Sequence, residues 1–539
     1  MNATLTADDG PAPAAQALPR KVPFALGPRP FVVVFLLWWI ITTAWALATP
    51  LWGSPDEYQH AYRAYAAARG EVVISPQAAT LGTGGFVDGP SGWTSSIRSL
   101  RCYAFKAART ANCLAPITND ATPKRVASTA ARYNPVYYLF VGSASLLTGP
   151  ARAPWAMRVA SGLLSALFLA AAFTSAATSR RPGLSTSAVV LASTPMVAFL
   201  AGSINPNGLE ITAAMSGWVN GYLMFSTQDD LLRQRYLRRA ALAMMGVLVT
   251  RGLSPLWVVV IGFILLLVAG NRQHVLRLWQ AGRGWWAAIA VTGLASVAWT
   301  ILDKTLVLNV NPHPSTYNFD QRLHLAWGSR HKHLFLWRGT IGTFGWLDTN
   351  MPLSTVQLWT VVVVLLAVLA LVVTGWRGRL GLLTLGVAVL SLPALLEAQN
   401  WNVSGPVWQP RYTMPISLGV VLLAGLLLAE SRRWERARPL QVLLGVAFCL
   451  TATWTNVCGF VVAISRYAVG ARGAISLSGK WHPPVSGVLL VVVVVLAWLL
   501  LGAIAVGSSF GRLSHQPVDE TGLDEPPLDD ASDEHPAAV

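Results

Sequence analysis

Apolar runs of transmembrane length recur along almost the whole of this chain, and no other feature limits its fold so severely. Crossing about 30 Å of hydrocarbon takes roughly 20 residues of helix. Inside lipid every backbone N–H and C=O must find its partner within the protein, which leaves helices or closed barrels. Twelve segments are plausible spans, the fifth and sixth of them short, at approximately 31–49, 153–177, 184–204, 210–226, 239–253, 255–270, 285–303, 355–375, 380–396, 412–429, 439–464 and 485–509. A composition of 53% hydrophobic against 12% charged residues, with a mean hydropathy of +0.48, excludes a soluble α/β or sandwich protein. The predicted fold class is therefore all-α and integral to the membrane, with about twelve transmembrane helices.

Basic residues set the orientation. Arg20, Lys21 and Arg29 precede the first segment and hold the N-terminus in the cytoplasm. Every second connection should then be basic. Arg180 and Arg181, Arg233 to Arg239, Arg272 to Arg283, Arg377 and Arg379, and Arg432 to Arg438 fit that alternation. Eight of the 24 acidic residues lie in the last 21 positions, so the rest of the chain carries a net +24. Cytoplasmic loops gathering Lys and Arg against anionic lipid account for that excess without any nucleic-acid partner. Residues 1–28 and 512–539 lack apolar periodicity and read as disordered cytoplasmic tails flanking a membrane domain at 29–511. Ala46-Leu47-Ala48 resembles a signal-peptidase site, but the preceding run is longer than a signal sequence needs and is read as an uncleaved anchor. Tyr133–Leu147 is apolar too. Counting it as a span would invert every later basic loop, so it is predicted to lie at the outer interface, with Tyr133, Tyr137 and Tyr138 at head-group depth.

This topology puts two large loops, 50–152 and 304–354, outside the cytoplasm, and function is expected there. Cys102 and Cys113 share the first loop in an oxidising compartment, so a disulfide is expected. Cys449 and Cys458 lie on one predicted helix, about 13 Å apart along its axis, too far to bridge. His313, His324, His331 and His333 match no zinc template, and no metal ligand is assigned.

Ser54-Pro55-Asp56-Glu57 follows the first span directly. Ser54 as N-cap, Pro55 at the first helical position and Glu57 as its reciprocal partner would form a capping box. Asp56 is then the freer carboxylate, placed to accept a proton from a hydroxyl at the membrane surface. Ser203-Ile204-Asn205-Pro206-Asn207-Gly208-Leu209-Glu210 is ordinary turn chemistry, except that Glu210 enters the next span and needs a partner or a task. Asn205, Asn207 and Glu210 are therefore candidate substrate contacts. Arg251 and Arg411, the latter followed by Tyr412, stand at outer helix ends; each either snorkels to lipid or neutralises a phosphate. In Gly345-Trp346-Leu347-Asp348 the Trp346 ring either anchors the interface as part of an aromatic belt or offers a wall for a sugar or prenyl chain, with Asp348 a carboxylate to order a hydroxyl.

Pro55-Asp56-Glu57 with Tyr62-Arg63-Ala64-Tyr65, Asn134-Pro135-Val136-Tyr137-Tyr138, Gly342-Thr343-Phe344-Gly345-Trp346-Leu347-Asp348 and Gln409-Pro410-Arg411-Tyr412-Thr413-Met414-Pro415 occur in this order. Together they resemble a bacterial family of predicted membrane proteins, domain-of-unknown-function family 2142, over roughly residues 30–510. That family is similar to the GT-C superfamily of membrane glycosyltransferases, which use polyprenyl-phosphate sugars at the outer membrane face. The resemblance implies an acidic pair, Asp56 and Glu57, with the first as base, and a Tyr137–Tyr138 element near the donor phosphate. Several GT-C relatives carry a second acid in the next outer loop. Here Asn205 and Asn207 stand there, with Glu210 just beyond, which leaves a divalent metal as an open cofactor question. The expected partners are a polyprenyl-phosphate sugar, membrane lipid and an envelope acceptor, and no nucleic acid. A transporter or flippase of a lipid-linked saccharide, or a non-catalytic protein of the same fold, is the alternative. The clustering of polar residues at outer helix ends favours the enzyme.

Overall fold

The computed structural model describes residues 28–74, 84–269, 272–303, 305, 315–328, 330–434 and 437–510. The two tails expected to be disordered fall outside them, apart from Pro28, as does His313. α1 (Pro28–Ala48) leads through a tight turn into α2 (Glu57–Ala67), followed by β1 (Gly85–Pro90), α3 (Thr94–Ser99), β2 (Pro123–Ser128) and α4 (Pro135–Ser143). Next come α5 (Ala153–Ala176), α6 (Pro182–Ala192), α7 (Pro195–Ala201), α8 (Pro206–Ser226), α9 (Asp230–Leu248) and α10 (Ser254–Ala269). α11 (Arg272–Ala281) and α12 (Arg283–Leu302) precede a second insertion holding α13 (Phe319–Trp327), α14 (Arg330–Gly342), β3 (Thr343–Phe344) and β4 (Thr349–Asn350). The rest of the bundle is α15 (Leu353–Val373), α16 (Trp376–Ser404), α17 (Pro410–Glu430), α18 (Arg438–Val469) and α19 (Gly487–Gly507).

Each apolar segment read from the sequence falls on a helix, the third on a bent pair. Among the described residues eight helices are long and apolar enough to cross a membrane unaided, and nine if α6 and α7 form one span bent by 66°. The expected number of twelve is reached only by adding α8, α9 and α10. The first carries Asn207, Glu210 and Asn220, the second begins with Asp230 and several arginines, and the third has 16 residues. α9 starts well before the expected residue 239 because Asp229 caps it, its carboxylate accepting the backbone N–H groups of Leu231 and Leu232. The α6–α7 break follows from Pro195, which has no N–H to give and restricts Thr194 before it.

α17 is the central helix, with 83% of its apolar window buried, against 6% for α12 at the periphery. Its C-terminal end meets the turn between α5 and α6, where Arg181 donates to Ala429 O (2.7 Å) and the Arg180 N–H donates to Glu430 (2.8 Å). Arg411 stands at the other end of α17. The basic turn and the candidate site residue Arg411 thus occupy opposite ends of one helix.

In the first insertion β1 and β2 pair antiparallel, Gly85 opposite Ser128 and Pro90 opposite Pro123; in the second, β3 and β4 pair Thr343 with Asn350. Cys102 and Cys113 are joined by a disulfide. α4, continued by a turn of 3-10 helix at Ala144–Leu146, is too short to span a bilayer and exposes Val136, Leu139 and Phe140. The tyrosines expected at head-group depth point the other way, since Tyr137 and Tyr138 are both buried. The reason is the close approach of α2, where a Cβ on Gly142 would lie 2.0 Å from the Ala64 carbonyl oxygen.

Candidate functional site

The turn from α1 into α2 is built around one arginine. Arg158 of α5, wholly buried, donates from Nε and Nη2 to the two carboxylate oxygens of Glu57 (2.7 and 2.6 Å). Its other N–H groups go to the carbonyls of Ala46, Thr49 and Pro50, each at 2.7 Å. All five guanidinium donors are used. Glu57 Oε1 also accepts the Ile204 N–H at 3.2 Å. This overturns the expected capping box. The N-cap of α2 is Asp56, in the left-handed region at φ 61°, and neither the Ser54 hydroxyl nor the Asp56 carboxylate caps the helix. Arg158 outcompetes the helix end for Glu57 because a buried carboxylate needs a full counter-charge, not one amide. Both Glu57 oxygens are committed to the fold.

Asp56 faces the opposite way. Its Oδ2 accepts from Arg411 Nη2 at 2.5 Å, with the aspartate side chain 40% exposed and the arginine 3%. Arg411 lies in the first turn of α17, after Pro410, and its Nε and Nη1 are buried with no hydrogen-bond partner among the described residues. Unsatisfied guanidinium donors in a buried position are costly, and an anion is the kind of partner that would satisfy them. Tyr412 is shared between two cations: Arg251 sits 4.2 Å and Arg411 5.1 Å from its ring centre. Arg251 occupies the break between α9 and α10 and also faces Tyr133 and Glu210. The N-terminal ends of α2, α8, α10 and α17 all reach this cluster, and their dipoles add positive potential.

Glu210 is buried and held by Asn207 Nδ2 (3.0 Å) and Ser254 Oγ (2.6 Å). Asn207 is thus used on Glu210. Asn205 caps α8, its Oδ1 accepting the Asn207 N–H, while its amide donates to Pro55 O at 3.2 Å. These three residues stand behind Asp56 and Arg251 and fix them. Tyr137 shares a hydrogen bond with Ser161 (2.9 Å), and Tyr138 shares one with His60 Nδ1 (2.8 Å). Burial, with Arg411 and Arg251 nearby, pushes the His60 imidazole down to about 3, so it is neutral at physiological pH.

Trp346 and Asp348 belong to the rim. Asp348 pairs with Arg466 of α18 at 2.9 Å and accepts from Thr349 Oγ1, so it is not a free group for ordering a substrate hydroxyl. Arg466 also donates to the carbonyls of Tyr103, Lys106 and Arg109, and Tyr467 donates to Gly53 O (3.2 Å). The end of α18 therefore ties the disulfide loop, the second insertion and the α1–α2 turn together. Sequence reading missed Arg466, Arg158 and His60. An arginine within a long apolar helix was the signal for the first two, and the α2 periodicity placing His60 one turn after Asp56 was the signal for the third. Among the described residues no three His, Cys, Asp or Glu side chains lie close enough to hold a metal ion.

A multi-pass helical membrane protein with Asp56, Arg411, Tyr412 and Arg251 clustered at helix ends is the class that this fold and site define. Residues 38–420 match the family described as Predicted membrane protein (DUF2142), and the chain belongs to that family. No curated protein matches it. The crystal structures of ArnT from Cupriavidus metallidurans, in the apo state and bound to undecaprenyl phosphate, are similar at 15% identity. They cover 90% of this chain and 77% of theirs, with TM-scores of 0.38 and 0.36.

Proposed function

We propose that this chain is an inverting GT-C-type glycosyltransferase that moves a sugar from a polyprenyl-phosphate donor to a cell-envelope acceptor on the outer face of the cytoplasmic membrane. Both termini are then cytoplasmic, an orientation supported by the arginine-bearing turn at the end of α17 away from Arg411. The observation that carries the reading is Arg411, buried, with one N–H on Asp56 and two donor nitrogens unpaired among the described residues, beside Arg251.

Asp56 removes the proton of the acceptor hydroxyl. That oxygen attacks the anomeric carbon, and the bond from this carbon to the phosphate oxygen breaks, its electron pair leaving with the polyprenyl phosphate. Arg411 and Arg251 balance the phosphate charge. A positioned base contributes about 10²–10⁴-fold, and fixed cations in a partly dry cleft act without reorganising. Glu57 serves as a positioning residue, since Arg158 occupies both its oxygens.

The broken span α6–α7 is the feature that a transporter would share. Its polar backbone is closed off, because Ser193 O accepts from Asn456 and Thr194 Oγ1 donates to Thr340 O. The enzyme reading is tested with purified full-length protein in nanodiscs. Undecaprenyl phosphate should bind the wild type and Asp56→Asn, and bind Arg411→Gln more weakly, as read by native mass spectrometry. Equal retention by Arg411→Gln would overturn the phosphate cradle, and glycan transfer at the wild-type rate by Asp56→Asn would overturn the base.

A further inference from the structure

Backbone strain in this molecule is concentrated in one place. Among the described residues the non-glycine positions with positive φ are Trp52 (66°), Asp56 (61°), Phe105 (60°) and Leu347 (60°). Each is unfavourable for a side chain with a Cβ and persists only where its surroundings hold it. All four surround the same rim. Trp52 O accepts from Trp346 Nε1 (3.1 Å), Leu347 follows Trp346, and Phe105 lies 5.2 Å from the Trp346 ring. Tyr58, two residues after Asp56, also stands 6.2 Å from that ring. Gly345, also left-handed at φ 64°, completes the turn that turns Trp346 toward them.

The result is a row of three aromatic rings, Phe105, Trp346 and Tyr58, running up to the exposed edge of Asp56. Phe105 is 71% exposed, while Trp346 and Tyr58 are half-buried. Phe105 is exposed beside two half-buried rings, so the apolar surface here is a contiguous patch and not one scattered side chain. The hold is rigid. Phe105 lies in the loop closed by Cys102–Cys113, and Arg466 grips carbonyls on both sides of it and Asp348 beyond Trp346.

We propose that Phe105, Trp346 and Tyr58 form the acceptor subsite, and that the acceptor is a glycan whose sugar ring stacks on them while a hydroxyl reaches Asp56. The assignment rests on Asp56 being the base. A sugar ring has an apolar C–H face and a hydroxyl edge, and the row offers the matching pair of surfaces, rings on one side and a carboxylate on the other. A lipid chain would need apolar surface continuous with the bilayer. Instead Phe105 is surrounded in sequence by exposed Arg101, Lys106 and Arg109.

The test uses the full chain in nanodiscs with a panel of uncharged tetrasaccharides of glucose, mannose, galactose and arabinose, read by saturation-transfer difference NMR. At least one should bind the wild type, Asp56→Asn and Phe105→Tyr, with binding to Phe105→Ala about tenfold weaker, the loss of one ring contact. Undecaprenyl phosphate retention by Phe105→Ala should be unchanged. The subsite is overturned if no tetrasaccharide binds, if Phe105→Ala binds as well as wild type, or if Phe105→Ala loses undecaprenyl phosphate, which would give the rings to the donor chain. Undiminished undecaprenyl phosphate on Arg411→Gln would sink the donor reading alone, leaving the sugar panel to judge the rings.

Discussion

Two neighbouring carboxylates, Asp56 and Glu57, each meet an arginine, and the two pairs differ in almost every other respect. Glu57 and Arg158 are wholly buried, and every donor of the guanidinium is satisfied. Asp56 is 40% exposed, its arginine is buried, and that arginine keeps two nitrogens without partners among the described residues. A closed pair stabilises a fold and cannot exchange protons with a ligand; an open one can do both badly until a ligand completes it. Adjacent residues have separate tasks because the left-handed conformation of Asp56 directs the two side chains to opposite sides of the turn.

Breaking the closed pair should have the largest effect. Arg158→Ala strands a buried carboxylate and three carbonyls, with an expected loss of about 3–5 kcal/mol of stability, seen as absent or aggregated protein in detergent-resistance and thermal-shift measurements. Asp56→Asn should lower transfer by about 10²–10⁴-fold while its melting temperature stays near wild type. If Asp56→Asn unfolds the protein instead, the contrast between the pairs disappears. Arg411→Lys keeps the charge and loses the planar fork; donor affinity should fall by about tenfold, the equivalent of one charge-assisted hydrogen bond, measured by undecaprenyl phosphate titration.

A last effect concerns pH. His60 is neutral in the folded protein down to about pH 3, whereas an unfolded histidine titrates near 6.5. The unfolded chain therefore binds more protons below that value, and stability should decline as pH falls from about 6.5 toward 3. His60→Gln, which keeps a hydrogen-bonding group for Tyr138 and cannot titrate, should flatten the fall in melting temperature between pH 6.5 and 4.5 if His60 is its source.

The membrane character, the helical segments, the disulfide loop and the polar stations at Asp56, Arg251 and Arg411 were all legible in the sequence. Hydropathy over some twenty residues is a local property, and so is the excess of arginine in alternate connections. Which station does what was not legible. Glu57 read as a cap or an acid because its partner lies a hundred residues further on, in α5. Tyr137 and Tyr138 read as interfacial anchors because nothing local showed that Gly142 lets α2 close over their helix. Asp348 read as a ligand group because Arg466 is hidden in a long apolar helix. Pattern fixes what must be buried and what must stay near water; only the assembled bundle decides which charges neutralise one another, since that depends on contacts between segments far apart in the chain. That Arg411 keeps two guanidinium nitrogens without partners among the described residues is visible only once the pairs around it have been closed.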